Sequence, residues 1–240
     1  MDFLTGEILY IDKPVGWTSF DVVKRVRSIM SRRCGRRRLK VGHAGTLDPL
    51  ASGVMIVCSG RATKRIDELQ AGVKEYVAEV TIGATTPSFD LETAVDAVYP
   101  VGHITRGSVE EALLRFKGEI EQVPPSFSAC KVDGCRAYKI ARKGGEVVLK
   151  PKTLVIDEME LLGYDDSVPD RRVATVRVVC SKGTYIRALA RDIGEALGAG
   201  AHLSALRRTR VGDVRVDRCM SVDDATAMLE QCEVVVPEEN

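Results

Sequence analysis

A single carboxylate, Asp48, lies between a leucine and a proline in the glycine-rich segment "GHAGTLDPLASG" (42–53). An acid that only aids solubility needs no such setting, because it can lie on any solvated loop. An Asp-Pro pair taken alone is most often an ordinary turn. The glycines and apolar residues around this pair instead indicate an acid that is held in place for a chemical task.

Basic residues are concentrated in the N-terminal part of the chain. Residues 1–65 contain 13 Lys and Arg against 5 Asp and Glu, although the whole chain has a formal net charge of only +1. The densest run, "RRCGRRRLK" (32–40), contains six cations, and two further runs are "CRAYKIARKGG" (135–145) and "RRTR" (207–210). One such run is most simply a solvated face. Three runs near other motifs favour a polyanionic partner.

The signals of several other chemistries are missing. The sequence has no Walker loop, no G-x-G-x-x-G after a strand, no G-x-S-x-G and no H-E-x-x-H. Its 7 cysteines form no C-x-x-C pair and its 3 histidines are scattered, which indicates neither a disulfide framework nor a zinc site. A glycosidase would need a second acid directed at the same bond, and none stands out. One acid acting on a polyanion remains, with no metal and no cofactor.

Length and composition limit the class of protein. A chain of 240 residues with 45% hydrophobic content can bury a full core. It contains no run of eighteen apolar residues, and its start has neither a basic n-region nor an apolar h-region. We therefore expect a cytoplasmic globular protein without a membrane partner.

The elements that must position Asp48 follow from the hydrophobic pattern. Residues 7–12 and 53–60 are predicted strands, so Asp48 leads into a strand expected to be central. A helix capped by Thr18 or Ser19 has apolar residues at helical spacing, namely Val22, Val23, Val26 and Ile29. The further predictions are a helix over 62–70, a strand over 74–83, a loop over about 85–107, a helix over 108–118, a strand over 171–183 and a helix over 184–198. The pattern is mixed α/β.

Five segments carry a resemblance to a known family. They are "KPVGWTSFDVV" (13–23), "GHAGTLDPLASGVMIVCSGRATK" (42–64), "KEYVAEVTIG" (74–83), "PPSFSACKVDGCRAYKIARKG" (124–144) and "CSKGTYIRALARDIGEALGAGAHLSALRRT" (180–209). In this order they resemble the bacterial tRNA pseudouridine synthases of the TruB type, over nearly the whole chain. The G-T-L-D-P core, coupled to K-P-x-G-x-T-S upstream and G-T-Y-I-R downstream, is far more specific than any of these motifs alone.

The resemblance implies a fold and a reaction. The fold is α/β (α+β), the pseudouridine synthase fold, with a central mixed, largely antiparallel sheet flanked by helices. The reaction is the isomerisation of a uridine in the tRNA T arm, at position 55, to pseudouridine. The base flips out, the N1 glycosidic bond breaks, and C5 bonds to C1′ of the ribose. Nothing is gained or lost from solution, so no cofactor is required.

The resemblance also assigns residues. The catalytic aspartate falls on Asp48, the base-stacking tyrosine on Tyr76 and the carboxylate-pairing arginine on Arg187. Leu206 falls on an apolar residue that lines the uracil pocket. The expected RNA-binding residues are His43, Leu206, Tyr185 and, from the basic run, Arg36, Arg37 and Arg38. The sequence leaves open whether Asp48 attacks the sugar, removes its 2′ proton or only stabilises positive charge.

Each assignment has a plainer structural alternative. Tyr76 lies in an alternating strand, where tyrosines are commonly packing residues, and Arg187 could be a helix cation in a weak surface pair. Leu206 is a core leucine by default. His43 beside Gly42 fits a hydrogen-bonded structural histidine as well as an RNA contact.

We expect residues 1–240 to form a single catalytic domain with a basic loop at 31–41. The 24 residues from 217 to 240 are too few for the small C-terminal PUA-type domain of many relatives, so no separate PUA domain is expected. The expected partner is the T-arm stem-loop of tRNA, bound by a monomer without an obligatory protein partner. Two alternatives are an RNA chaperone that has lost its chemistry and a guide-RNA-dependent subunit of the dyskerin type.

Overall fold

The structure is a computed structural model that describes residues 1–128, 130–132 and 134–235. In chain order, its elements are β1 (Ile8–Lys13), α1 (Ser19–Arg33), β2 (Val41–His43), β3 (Ala51–Ser59), a 3-10 helix (Gly60–Arg65), α2 (Ile66–Ala71), β4 (Lys74–Ile82), β5 (Ala84–Thr85), β6 (Ala97–Val98), α3 (Arg106–Leu114), β7 (Gly118–Gln122), β8 (Lys131–Val132), β9 (Cys135–Arg136), α4 (Ala137–Ala141), β10 (Lys152–Asp165), β11 (Arg172–Cys180), α5 (Ile186–Ala196), β12 (Ala201–Val211), β13 (Val214–Arg215), a short 3-10 helix (Val216–Arg218), β14 (Met220–Ser221) and α6 (Val222–Gln231). They form the predicted mixed α/β fold, with a central, largely antiparallel sheet flanked by helices.

The chain forms two compact units. Unit 1 comprises residues 1–74 together with the segment that begins at Arg207, and unit 2 comprises residues 75–206. The prediction of a single catalytic domain stays a prediction.

Unit 1 is built on β1 and β3, which pair antiparallel from Ile8 opposite Cys58 to Lys13 opposite Gly53. Strand β2 pairs with β3 antiparallel, and β14 pairs with β1 in parallel. Helix α1 begins as predicted, because the Thr18 side chain accepts from the Asp21 N–H and Asp21 caps Thr18 in return. Its apolar residues pack with those of β1 and α6 in one core. The helical spacing noted in the sequence is therefore the buried face of α1.

Unit 2 contains the strand order β4-β11-β10-β7, and β12 lies beside β4. The long strand β10 pairs antiparallel with β7 and with β11, and two register shifts interrupt its pairing with β11. Helices α3 and α5 each bury one apolar face. The first turn of α5 contains Arg187.

Several predicted bounds need correction. The predicted helix over 62–70 divides into a 3-10 helix and α2, and the helix predicted at 108–118 ends at Leu114. The predicted loop 85–107 contains β6, which pairs with β5. The basic segment predicted as a loop at 31–41 begins inside α1, which continues to Arg33, and it ends in β2.

Candidate active site

Asp48 lies in the turn that connects β2 to β3 in unit 1. The N–H of Ala51 donates to the Asp48 carbonyl at 3.1 Å, which closes a turn around Pro49, and the Asp48 side chain is half-buried. The glycines of the segment have specific tasks. Gly53 has φ +108°, and a Cβ there would lie 2.1 Å from the Arg208 carbonyl oxygen. The glycine-rich setting of Asp48 therefore allows a tight turn beside a neighbouring strand.

The residues on both sides of Asp48 are hydrogen-bonded to Ser19, the first residue of α1, and to Gly16 in the loop before this helix. The buried Ser19 hydroxyl donates to the Leu47 carbonyl at 3.0 Å and accepts from the Leu47 N–H at 2.8 Å. The Gly16 N–H donates to the Pro49 carbonyl at 2.8 Å. Since Leu47 and Pro49 flank Asp48, these three hydrogen bonds fix the backbone from which its carboxylate projects.

Arg208 supports the same turn from β12. Its side chain is only 2% exposed and donates to the carbonyls of Val54, Thr46 and Gly45 at 2.8, 3.3 and 3.2 Å. A guanidinium buried in this way does not contact a polyanion. The interpretation of the 207–210 run as a phosphate-binding patch is therefore wrong for Arg208. Arg207 pairs with Asp12 at 2.6 Å.

Lys13 is a buried cation of the same region that sequence reasoning did not single out. It is fully buried, and its ammonium donates to the carbonyls of Pro14 and Trp17 at 2.9 and 2.6 Å. Burial lowers its pKa from 10.5 to about 8, against the opposing effect of the Asp48 carboxylate. Its only signal in the sequence was its place in the K-P-x-G-x-T-S motif.

His43 and the three loop arginines also belong to unit 1. His43 ends β2 and is half-buried. Burial lowers the pKa of its imidazole, and the charge of Arg208 acts in the same direction. Arg36, Arg37 and Arg38 are exposed in the segment after α1, as a solvated face or a phosphate-binding run requires.

In unit 2, the Arg187 side chain is surrounded by hydrogen-bond acceptors, two carbonyls and a carboxylate. It is 5% exposed, and its guanidinium donates to the carbonyls of Ser88 and Phe127 at 3.2 and 3.0 Å. Its Nε lies 3.5 Å from the buried Asp90 carboxylate. The plain alternative of a weak surface pair is therefore wrong. Phe89, which precedes Asp90 in the chain, has a left-handed φ of 61°, a strained conformation for an aromatic residue.

The other candidates of unit 2 differ in exposure. Tyr76 lies in β4 and is 8% exposed, whereas Tyr185 and Leu206 are half-buried. The Tyr185 hydroxyl lies 3.4 Å from the Cys130 thiol, and its N–H donates to the Gln122 side chain at 2.9 Å. Burial raises the pKa of Tyr185 to about 12. Asp48, His43 and Arg36–Arg38 thus belong to unit 1, whereas Tyr76, Tyr185, Arg187 and Leu206 belong to unit 2.

Two family models match the chain. Residues 32–186 match the TruB family pseudouridylate synthase (N terminal domain), and residues 187–236 match the tRNA pseudouridylate synthase B C-terminal domain. The chain is 63% identical over 239 residues to tRNA pseudouridine synthase B of Parabacteroides distasonis, covering 100% of both chains. It is 62% identical over 242 residues to the protein of that name from Bacteroides thetaiotaomicron, again covering 100% of both. The chain belongs to the TruB family of pseudouridylate synthases.

Solved structures agree with this assignment. The fold matches a chain of a Cbf5-Nop10-Gar1 complex with a TM-score of 0.68 and 29% identity, covering 94% of this chain and 54% of that chain. A chain of an H/ACA RNP bound to a substrate RNA containing 2′-deoxyuridine gives a TM-score of 0.65 and 28% identity, covering 92% and 52%. Within the described ranges, no helix has the length and apolar character of a membrane span.

Proposed function

We propose that this chain is a tRNA pseudouridine synthase that converts uridine 55 of the T arm to pseudouridine. The observation that supports this most directly is the turn around Asp48 in a member of the pseudouridylate synthase family. Ser19, Gly16 and Arg208 hold the backbone on both sides of that acid. Relatives more than 60% identical over the full chain are named tRNA pseudouridine synthase B.

The chemistry explains why one fixed acid is needed. Breaking the C–N bond at an anomeric carbon develops positive charge on the ribose. An ionised carboxylate can stabilise that charge, attack C1′ or remove the 2′ proton. The proposal assigns the carboxylate to Asp48 and leaves these three courses open. A guanidinium beside a carboxylate favours its charged form, and we assign that task to Arg187.

The substrate base must leave its stack before the bond can break. Base flipping costs a few kcal/mol, and stacking on an aromatic ring returns about 1–3 kcal/mol per base. We assign this platform to Tyr76 and the wall of the uracil pocket to Leu206. His43, Tyr185 and Arg36–Arg38 are proposed to contact the RNA. The enzyme is proposed to act in the cytoplasm as a monomer, with no cofactor and no protein partner.

Incubation of the purified chain with unmodified tRNA, followed by mapping of pseudouridine, tests the proposal. We expect one new pseudouridine, in the T arm, without added protein or guide RNA. Bound but unmodified tRNA would indicate an RNA chaperone instead. Modification that requires an added guide RNA would indicate a guide-RNA-dependent subunit instead.

A further inference from the structure

The outward face of α1 is basic along its length. The helix buries Val22, Val23, Val26, Ile29 and Met30. Lys24 and Arg25 are exposed and Arg27 is half-buried. The α1 face is defined here as these three cations together with Phe20, which is 58% exposed.

Carboxylates near the α1 face act on its cations only at longer range, since Asp21 interacts electrostatically with Lys24 and Glu230 with Arg25. The one acid of the helix, Asp21, is engaged in the cap with Thr18. Arg32 pairs with Glu230, and Arg33 donates to the Cys232 carbonyl. Lys24, Arg25 and Arg27 form no salt bridge within the part of the chain that the structure describes.

Helix α3 of unit 2 shows the opposite arrangement. There, Arg106 lies 3.0 Å from Glu110 and Arg115 lies 3.7 Å from Glu111, each one helical turn apart. Both helices have exposed arginines, but only α3 supplies each with its own carboxylate. Solubility alone therefore does not explain the excess charge on α1.

Aromatic side chains accompany these cations. A groove of about 520 Å³ is lined by Trp17, by the cations Lys24, Arg25 and Arg32, and by two acids, Asp21 and Glu230, that are engaged with Thr18 and Arg32. On the outward side, the Arg27 guanidinium lies 5.8 Å from the centroid of the exposed Phe20 ring. Cations interleaved with aromatic rings are the combination that binds unpaired nucleic acid.

Within unit 1, helix α1 begins beside the Asp48 turn and ends before the basic segment that contains Arg36–Arg38. The N-terminal end of the helix is joined to the turn of Asp48 through Ser19 and Gly16. The C-terminal end leads into Arg36–Arg38. A helix of 15 residues spans about 22 Å, at 1.5 Å per residue. The cations therefore line a path from the candidate catalytic turn to the basic segment.

We propose that the α1 face is an RNA-binding surface that contacts phosphates of the substrate tRNA, with Phe20 stacking on an unpaired base near the Asp48 turn. This rests on the proposed function. The positive charge and the exposed Phe20 ring of the α1 face are suited to an RNA ligand. Its contacts with RNA would be additional to those of Arg36–Arg38.

Three variants test the surface. The variant K24S/R25S/R27S removes the cations, and R106S/R115S, at α3 and its C-terminal cap, is the control with salt-bridged arginines. Phe20→Leu keeps an apolar side chain without the ring. Affinity for unmodified tRNA is measured from 50 to 300 mM salt. We expect the slope of log affinity against log salt to fall by about 2–3 units for the triple variant and to stay unchanged for the control.

The same series gives the results that overturn the proposal. If the triple variant and the control have the wild-type slope, the α1 face is only solvated. If Phe20→Leu binds as tightly as wild type, the stacking contact is wrong. Circular dichroism and melting temperature establish that each variant is folded, and single variants replace the triple one if it is not.

Pseudouridine mapping on the wild-type protein separates this proposal from the proposed function. A lower salt slope for the triple variant, with no pseudouridine formed by the wild type, would support the RNA-binding surface and contradict the proposed function. Pseudouridine in the T arm with an unchanged slope would do the reverse.

Discussion

Arg208 illustrates how one side chain can fix several backbone groups at once. Its planar guanidinium spreads its donors over the carbonyls of Gly45, Thr46 and Val54, all within or next to the segment that contains Asp48. A lysine offers a single ammonium and could not reach three separated acceptors in this geometry. The rigidity of the turn thus depends on a cation that is buried against the backbone of the turn.

The Asp48→Asn variant tests the central acid. The change is nearly isosteric, so folding and tRNA affinity should stay close to wild type, while the anionic oxygen on which the chemistry depends is lost. Pseudouridine formation should fall below detection. Turnover near the wild-type rate, measured on tRNA that the variant binds normally, would mean that Asp48 is not the catalytic acid.

At Tyr76, two substitutions separate stacking from proton transfer. Phenylalanine keeps the ring and removes the hydroxyl, whereas leucine removes both. Binding of the flipped base should survive Tyr76→Phe and weaken about 5- to 150-fold with Tyr76→Leu, because stacking is worth about 1–3 kcal/mol. If the hydroxyl moves a proton, product formation should fall in both. Full activity of the leucine variant would identify Tyr76 as a packing residue.

The pKa of Lys13 predicts a pH dependence of stability. The folded-state pKa is about 8 and the ordinary value is 10.5, so the unfolded chain binds more protons between these values. The free energy of unfolding must therefore rise with pH across this window, by about 1.4 kcal/mol per unit for this group. Denaturant unfolding of wild type and Lys13→Met from pH 7 to 10.5 isolates the effect. A pH-independent difference between the two proteins would contradict it.

Site residues whose chemical type is unusual for their surroundings could be predicted from the sequence. Residues that matter because of their contacts in the folded chain could not. Asp48 stood out because an acid in a tight glycine-rich turn needs a reason. Ser19 and Arg208 are ordinary in type, and only burial against backbone groups distant in sequence gives them a role. Asp90 lay in a predicted acidic loop without any periodic signal, so nothing distinguished it before its 3.5 Å approach to Arg187.

Among the elements, periodicity predicted those that bury a single face. Strand β1 and helix α1 show this well, because both pack one apolar side on the core of unit 1. The 14-residue strand β10 was not predicted, since its register shifts interrupt the alternation of apolar and polar residues that is typical of a strand. Strand β12 contains the consecutive arginines Arg207 and Arg208, of which Arg208 is buried against carbonyls distant in sequence while Arg207 is exposed.

The link between α1 and the Asp48 turn predicts an effect of Ser19→Ala. The variant removes one donor and one acceptor and leaves the Leu47 N–H and carbonyl without their partner, which costs about 1–3 kcal/mol of stability. Because Asp48 follows Leu47, kcat should fall while KM for tRNA changes little. Ser31→Ala, on the same helix but without a hydrogen bond to the turn, is the control. A loss of stability without any change in kcat would show that the bonds are structural only.

At the scale of the whole molecule, charge is distributed unevenly although the net charge is +1. The N-terminal cations of unit 1 divide into those that hold the protein together, such as Lys13, and those exposed to solvent, such as Arg36–Arg38. Net charge would predict little attraction for RNA. The local field of the exposed cations governs encounter with a polyanion instead.

The last prediction concerns Arg36, Arg37 and Arg38. If each contacts a phosphate, replacing all three with serine should weaken tRNA binding at low salt and reduce the salt slope by about 2–3 units. The α1 face supplies separate contacts in our proposal, so its effect should add to this one, and the combined variant should lose about 4–6 units. Affinities of the wild type, both triple variants and their combination are measured across one salt series. Parallel lines for wild type and the loop variant would mean that these arginines form only a solvated face. A combined loss no larger than that of one triple variant would mean that the two clusters share the same phosphates.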